Sequence, residues 1–203
     1  MLLRKASWSL FLLLVPALGA CAQPPVPQDT FYRLEVGAPE KVLSVPHLQG
    51  TLEIERLSAD GLTAGRPIVY SRSDRPRELQ EYHYHFWTEP PPVMLRDQLV
   101  AYLRRAKVAS AIVTPEMRVA VDYALTGKIK RLERVIGASS GAAKAIVELE
   151  LGVRQTAGER LLFLDTYRVE TAAAADTVSA AVDALNEGLN RVFALFVADL
   201  SKN

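Results

Sequence analysis

The 203-residue chain predicts an α+β fold: an antiparallel or mixed β-sheet packed against two main helices in a single layer-sandwich domain. Three observations carry this. Apolar and polar residues alternate through several strand-length segments in both halves of the chain. Two stretches, one central and one at the C-terminus, instead repeat apolar residues at helical spacing. The alternation gives each strand one packed face and one partly wet face, which favours antiparallel pairing. At 49% hydrophobic residues the chain is too apolar for a disordered one, and its length suits one domain with its own core.

Residues 1–20 stand apart. Arg4 and Lys5 supply a positive start, and "ASWSLFLLLVPALGA" follows, uncharged and ending in small residues. This is the three-part pattern of an export signal. Its apolar run of about fifteen residues is short of the roughly 20 that span a bilayer as a helix. The run ends in "LGAC", whose Cys21 is the single cysteine of the chain. Leu18, Gly19, Ala20 and Cys21 resemble a bacterial lipobox. In proteins with that motif the thiol is alkylated by diacylglyceryl, the signal is cut between the positions of Ala20 and Cys21, and the new amine is acylated. An exported chain with one cysteine has no internal disulfide partner, and lipidation leaves no free thiol. "AQPPVPQD" then reads as a tether, because its prolines bar a helix or a central strand. Its eight residues reach roughly 25 Å in polyproline II. The expected organisation is a signal peptide at 1–20, a lipidated Cys and Pro-rich tether at 21–29, and a periplasmic domain at 30–203.

Within the domain, "FYRLEV" (31–36) and "GTLEIERL" (50–57) read as short strands, followed by a turn-rich loop, "ADGLTAGRP". "PIVYSR" (67–72) and "LQEYHYHFW" (79–87) flank "SDRP" and suggest a hairpin. "EPPP" stops the second strand and opens a helix, "VMLRDQLVAYLRRAKV", with Leu95, Leu99, Tyr102, Leu103 and Ala106 on one face. Three longer strands are expected from "VAVDYALTGKI", "AIVELELGV" and "RLLFLDTYRVE", joined by turns at "GASSGAA" and "QTAGE". A helix from about Asp176 closes the chain. Its stripe, Val178, Val182, Leu185, Leu189, Val192, Phe193, Phe196 and Leu200, is expected to pack on the sheet.

Chemistry is harder to place. The 24 basic residues against 23 acidic ones create no field for nucleic acid. "GASSG" fits the G-x-S-x-G nucleophile elbow, but His47, His83 and His85 all precede Ser139, the reverse of the elbow's order. A strand pattern follows it, so a hairpin turn is expected. His83 and His85, with Glu81, share a strand face, but nothing else has ligand spacing for a metal. No Gly-rich phosphate loop is present. No cofactor and no enzyme activity are expected. Arg72, Arg75, Arg77, Lys128, Lys130, Arg131 and Arg134 are read as solvated faces, with contact to lipid headgroups or a partner protein as the alternative. On strict alternation Tyr82, Tyr84 and Phe86 share one face of their strand, and His83, His85 and Trp87 the other. One face can enter the core, and the residue types left outside suit contact with another protein. Tyr84, His85 and Trp87 are therefore candidate interface residues, while burial of Trp87 beneath the following prolines is the competing expectation.

"FYRLEV" soon after the cysteine, and "GRPIVYSRSDRPRELQEYHYHFWTEPPPVMLRDQLVAYL", together resemble the ABC-type transport auxiliary lipoproteins, the PqiC-like family. The resemblance covers about residues 31–200 and holds no catalytic motif. It implies an auxiliary subunit working with an ABC ATPase, a permease and an MCE-domain protein that move lipids between the inner and outer membranes. It also implies outer-membrane anchorage facing the periplasm, support of membrane integrity, and membership of a homo-oligomeric ring in some relatives. The one chemically defined position it transfers is Cys21. Ala22 follows, where an Asp would signal inner-membrane retention in enteric bacteria. A lipoprotein scaffold or pilotin of another envelope or secretion complex would need the same anchor and tether.

Overall fold

The structure is a computed structural model, described here over residues 26–138 and 143–202. The elements run β1 (Thr30–Tyr32), β2 (Leu48–Ile54), β3 (Ser58–Ala59), β4 (Pro67–Arg72), β5 (Arg75–Trp87), α1 (Pro91–Ala106), β6 (Ala109–Val113), β7 (Tyr123–Ile136), β8 (Lys144–Gln155), β9 (Leu161–Ala172) and α2 (Val178–Leu200). The nine strands form one mixed sheet, and the two helices share its core. The expected α+β class is the one observed.

β7 is the spine. Along one edge it pairs antiparallel with β8 from Tyr123↔Gln155 to Val135↔Lys144, and β8 continues antiparallel into β9. Along its other edge it takes three parallel partners in succession: β2 at Tyr123–Leu125, β3 at Lys128–Ile129 and β4 at Arg134–Ile136. The sheet therefore forks. One branch runs from β2 to β6, and the other from β4 through β5 to β1. Antiparallel pairing holds for β7–β8–β9 and β4–β5, whereas β1–β5, β2–β6 and the three contacts on the far edge of β7 are parallel. Alternation reports a half-buried strand, not the direction of its neighbour, and the parallel strand β2 also buries just one face here.

The helix-facing side carries the core. Val147, Leu149, Leu151 and Val153 on β8 and Phe163, Tyr167 and Val169 on β9 are buried beneath α2, whose whole expected stripe is buried. Phe196 packs edge-on to Phe163 and Tyr167, and Phe193 to Tyr102 of α1. Thr177 caps α2 by accepting from the Ala180 N–H. Pro91 stands at the start of α1, where its missing N–H costs nothing. At the other end Lys107 takes the left-handed conformation, and the Arg104 guanidinium donates to the Ile112 carbonyl. The opposite face of β7–β8–β9 is a charge ladder. Lys130 pairs with Glu150, Arg168 with Glu148 and Glu170, and Lys144 with Glu170. The bonds from Lys144 and Arg168 hold Glu170 below the usual carboxylate range.

Several segments differ from the sequence reading. Residues 33–36 leave the ladder after Tyr32, yet Leu34 and Val36 still point into the core. Their extended backbone is held by side chains: the Glu35 N–H donates to Asn186 and the Val36 N–H to Gln98. Residues 119–122 are outside β7, and Val119 is 52% exposed. β6 was hidden by its brevity, five residues directly after a helix whose last residue is Ala106. Arg134 is not solvated but 5% exposed. A bulge between Ile129 and Arg131 adds one residue and shifts the phase of β7. Leu132 and Arg134 consequently face the helices in succession to Leu125 and Ile129.

Close approach fixes Gly127. A Cβ there would lie 2.5 Å from the Glu150 carbonyl and 2.7 Å from a Leu57 methyl. Gly127→Ala is expected to cost about 1–3 kcal/mol as overpacking. Thermal unfolding followed by circular dichroism checks this; an unchanged midpoint would contradict the tight seat of Leu57 on β7. The charge ladder gives a pH signature of defined sign. Because the folded pKa of Glu170 is lowered, its stabilisation is present at neutral pH and lost as pH falls from the ordinary glutamate value through the lowered one. Urea midpoints of wild type and Glu170→Gln should converge across that window.

Candidate interaction surface

The region around Tyr84, His85 and Trp87 is a three-way junction. β1 lies parallel on the last residues of β5, with Thr30↔His85, Phe31↔Phe86 and Tyr32↔Trp87. The Thr88 N–H donates to the Tyr32 carbonyl at 2.9 Å, and the Trp87 N–H to the Arg66 carbonyl at 2.7 Å. The Arg66 side chain returns a bond from Nε to the Trp87 carbonyl at 3.1 Å. The start of the domain, the end of β5 and the approach to β4 are thus tied together by backbone groups.

The side chains do not follow strict alternation. Val69 pairs with Glu81 but Pro67 pairs with Phe86, so β5 carries extra residues between those points. Tyr82 is thereby turned to the side of His85, and their rings meet edge-on at 5.4 Å. Trp87 is 1% exposed and belongs to the core. Its assignment as a surface residue is corrected: the indole is the largest side chain buried at this junction, and burying it outweighs any contact it would offer outside. His85 is half-buried, with Nδ1 3.0 Å from the Tyr32 hydroxyl. Tyr84 is 43% exposed.

Two clusters result. The outer one is apolar and cationic. Phe31, 52% exposed, stacks on Phe86 at 5.8 Å, and the Arg66 guanidinium lies 5.4 Å from the Phe31 ring centre. The inner one is a chain of phenols ending in a charge. Tyr32 meets His85, His85 meets Tyr82, and Tyr82 packs on Tyr70 at 4.5 Å. Arg134 then donates to the Tyr82 hydroxyl and to Asp176, just before α2. Burial pushes the Tyr82 phenol up against the opposing pull of Arg134, and burial likewise raises Tyr32. Both phenols stay neutral near pH 7.

Of the candidate residues, the structure keeps Tyr84 and part of His85 at the surface. Ala20, Cys21 and Ser139 lie outside the described residues. β7 and β8 flank the Ser139 segment as an antiparallel pair. His83 is exposed. Among the described residues no three His, Cys, Asp or Glu side chains are placed to hold a metal. Sequence reading missed Phe31, Tyr82, Arg134 and Asp176. Phe31 carried a signal, an aromatic next to a tether, but Arg134 carried none, because its orientation depends on the β7 bulge.

The inner chain has an energetic test. Tyr82→Phe leaves a buried guanidinium N–H without its acceptor, expected to cost about 1–3 kcal/mol. The same change in an Arg134→Met background should cost less than half as much. Urea denaturation of the four proteins of this cycle measures the coupling, and strict additivity would contradict it.

The chain is similar to the crystal structure of protein XCC0632 from Xanthomonas campestris, with a TM-score of 0.72 and 23% identity, covering 83% of this chain and 92% of that one. It is also similar to the crystal structure of an uncharacterized protein, with a TM-score of 0.65 and 17% identity, covering 85% and 99%. At these identities the likeness is one of fold. No curated protein matches the sequence. The family described as "ABC-type transport auxiliary lipoprotein component" matches residues 32–195, from the second residue of the expected strand "FYRLEV" to the last turns of α2. By that match over most of its length, the chain belongs to the ABC-type transport auxiliary lipoprotein family.

Proposed function

We propose that this protein is lipidated on Cys21, anchored in the outer membrane facing the periplasm, and serves an ABC transporter with an MCE-domain protein that moves lipids across the envelope. The observation that carries this reading is position. The family match begins at Tyr32, directly after a Pro-rich tether that itself follows "LGAC". Among the described residues no helix is long and apolar enough to cross a membrane. Attachment through acyl chains, each buried CH₂ contributing about 0.8 kcal/mol, supplies what those helices do not. Ala22 after the cysteine supports the outer membrane as destination. The resemblance of residues 65–103 to the PqiC-like proteins supports the MCE partner. The junction of β1, β4 and β5 offers rings, hydroxyls and guanidinium groups, a set suited to recognition, and the protein is read as a non-catalytic subunit.

The decisive experiment uses the whole chain in cells. Wild type should incorporate labelled palmitate, float with the outer-membrane fraction on a density gradient, and co-purify with the MCE protein after cross-linking. Cys21→Ser should lose the label and leave the membrane after an alkaline wash. Retention of the mutant, with no palmitate on the wild type, would overturn the anchor. Capture of a secretion subunit in place of the MCE protein would overturn the transport assignment. Ser139→Ala should leave envelope function unchanged, and its loss in a folded protein would reopen hydrolase chemistry.

A further inference from the structure

We infer that the outer cluster at the β1–β5 edge rests on the phospholipid surface that holds the anchor, so that the domain is docked on the membrane in one orientation. The inference rests on the lipidation reading above and adds a surface to it.

The first observation is where the tether enters. The described chain begins at Val26, which is 82% exposed, and reaches the sheet at Thr30, paired with His85. The outer cluster starts at the next residue, Phe31. The tether of Ala22–Asp29 reaches roughly 25 Å when fully extended in polyproline II. A compact domain of this size is roughly 40 Å across. A face on the far side of the molecule would need the entry point to stand off by the full width, which the tether does not allow. The far side is thereby excluded, and the surfaces beside β1 meet the bilayer with least stretch of the tether.

The second observation is what stands there. Phe31 on β1 and Tyr84 on the paired strand β5 are exposed aromatics, Arg66 is an exposed cation 5.4 Å from the Phe31 ring, and Arg33, two residues after Phe31 in the chain, is exposed as well. Aromatic rings partition to the headgroup level of a bilayer, and guanidinium groups bind phosphate there. Two rings would bind weakly on their own. The acyl anchor makes their contact intramolecular and raises the effective concentration of membrane to the level where weak contacts are occupied. The outer face of β7–β8–β9 has the opposite character. Its paired charges would have to be desolvated against headgroups, with no ring to gain from it.

The test uses the full lipoprotein. Cys21 is the single cysteine of the sequence, and its thiol is consumed by lipidation, so Tyr84→Cys introduces one reactive thiol. Leu164→Cys, exposed on β9, is the comparison site. Each is labelled with an environment-sensitive fluorophore and reconstituted in phosphatidylethanolamine–phosphatidylglycerol vesicles, with or without nitroxide-headgroup lipid. The expected result is a blue shift and strong loss of emission by nitroxide lipid at 84, and neither at 164. Equal quenching at the two sites, in protein that floats with the vesicles, overturns the docking. A label at 84 that is shielded from a water-soluble quencher yet untouched by nitroxide lipid means that protein, a second copy or a partner, covers the edge, and also overturns it. Protein that fails to float and carries no palmitate sinks the lipidation reading instead. Phe31→Cys repeats the measurement where Tyr84→Cys does not give a wild-type circular dichroism spectrum.

Discussion

One strand holds the molecule together. β7 fills one edge with β8 and divides the other among β2, β3 and β4, so five of the nine strands meet at its backbone. Every buried N–H and C=O along it must find a partner, and three short parallel strands in succession satisfy one edge. This arrangement demands close approach, and Gly127 lies where β8 and Leu57 come too near for a Cβ. It also demands a bulge, because a fourteen-residue strand with partners on both edges must twist to serve the two branches of the fork. The bulge sends Arg134 inward. The interior charge is thus a consequence of how the sheet branches.

The sequence made the helices and the antiparallel half of the sheet legible, because there a single periodicity runs unbroken. The stripe of α2 from Val178 to Leu200 and the run Val147–Leu149–Leu151–Val153 are buried as the spacing requires. What it concealed has a common cause. β6 is too short for a period to show. The parallel neighbours of β7 are joined to it through long intervening chain, and alternation does not encode a partner's direction. The displaced residues of β5 break the phase on which the division between Tyr82 and His85 depended. In "FYRLEV", expected as one strand, Leu34 and Val36 keep an inward phase even though no ladder holds them. Periodicity reports burial more faithfully than it reports hydrogen bonding.

The two clusters at the β1–β5 junction separate two kinds of physics. Inside, hydroxyls and rings connect β1 to the start of α2 through Arg134 and Asp176, so the N-terminal strand and the C-terminal helix share one polar network. Outside, Phe31 and Phe86 stack in solvent beneath a guanidinium. The buried network gives the junction a fixed shape, while the exposed rings give it something to present. Trp87 lies between them and serves the core, which explains how so aromatic a strand end leaves so little of itself outside.

Under the proposed lipidation of Cys21, β1 is also where force enters. Any drag on the domain, from a partner pulling or from the movement of lipids around the anchor, passes through the peptide bonds at Thr30 before it reaches the sheet. β1 is parallel to β5, so a pull from its N-terminal end that is resisted at the C-terminal end of β5 loads the β1–β5 hydrogen bonds together in shear. Such shear geometry resists sudden pulls far better than peeling does. Behind it Leu34 and Val36 act as two further catches seated in the core. Under the proposed lipidation of Cys21, this three-residue strand is the mechanical link between the anchor and the domain.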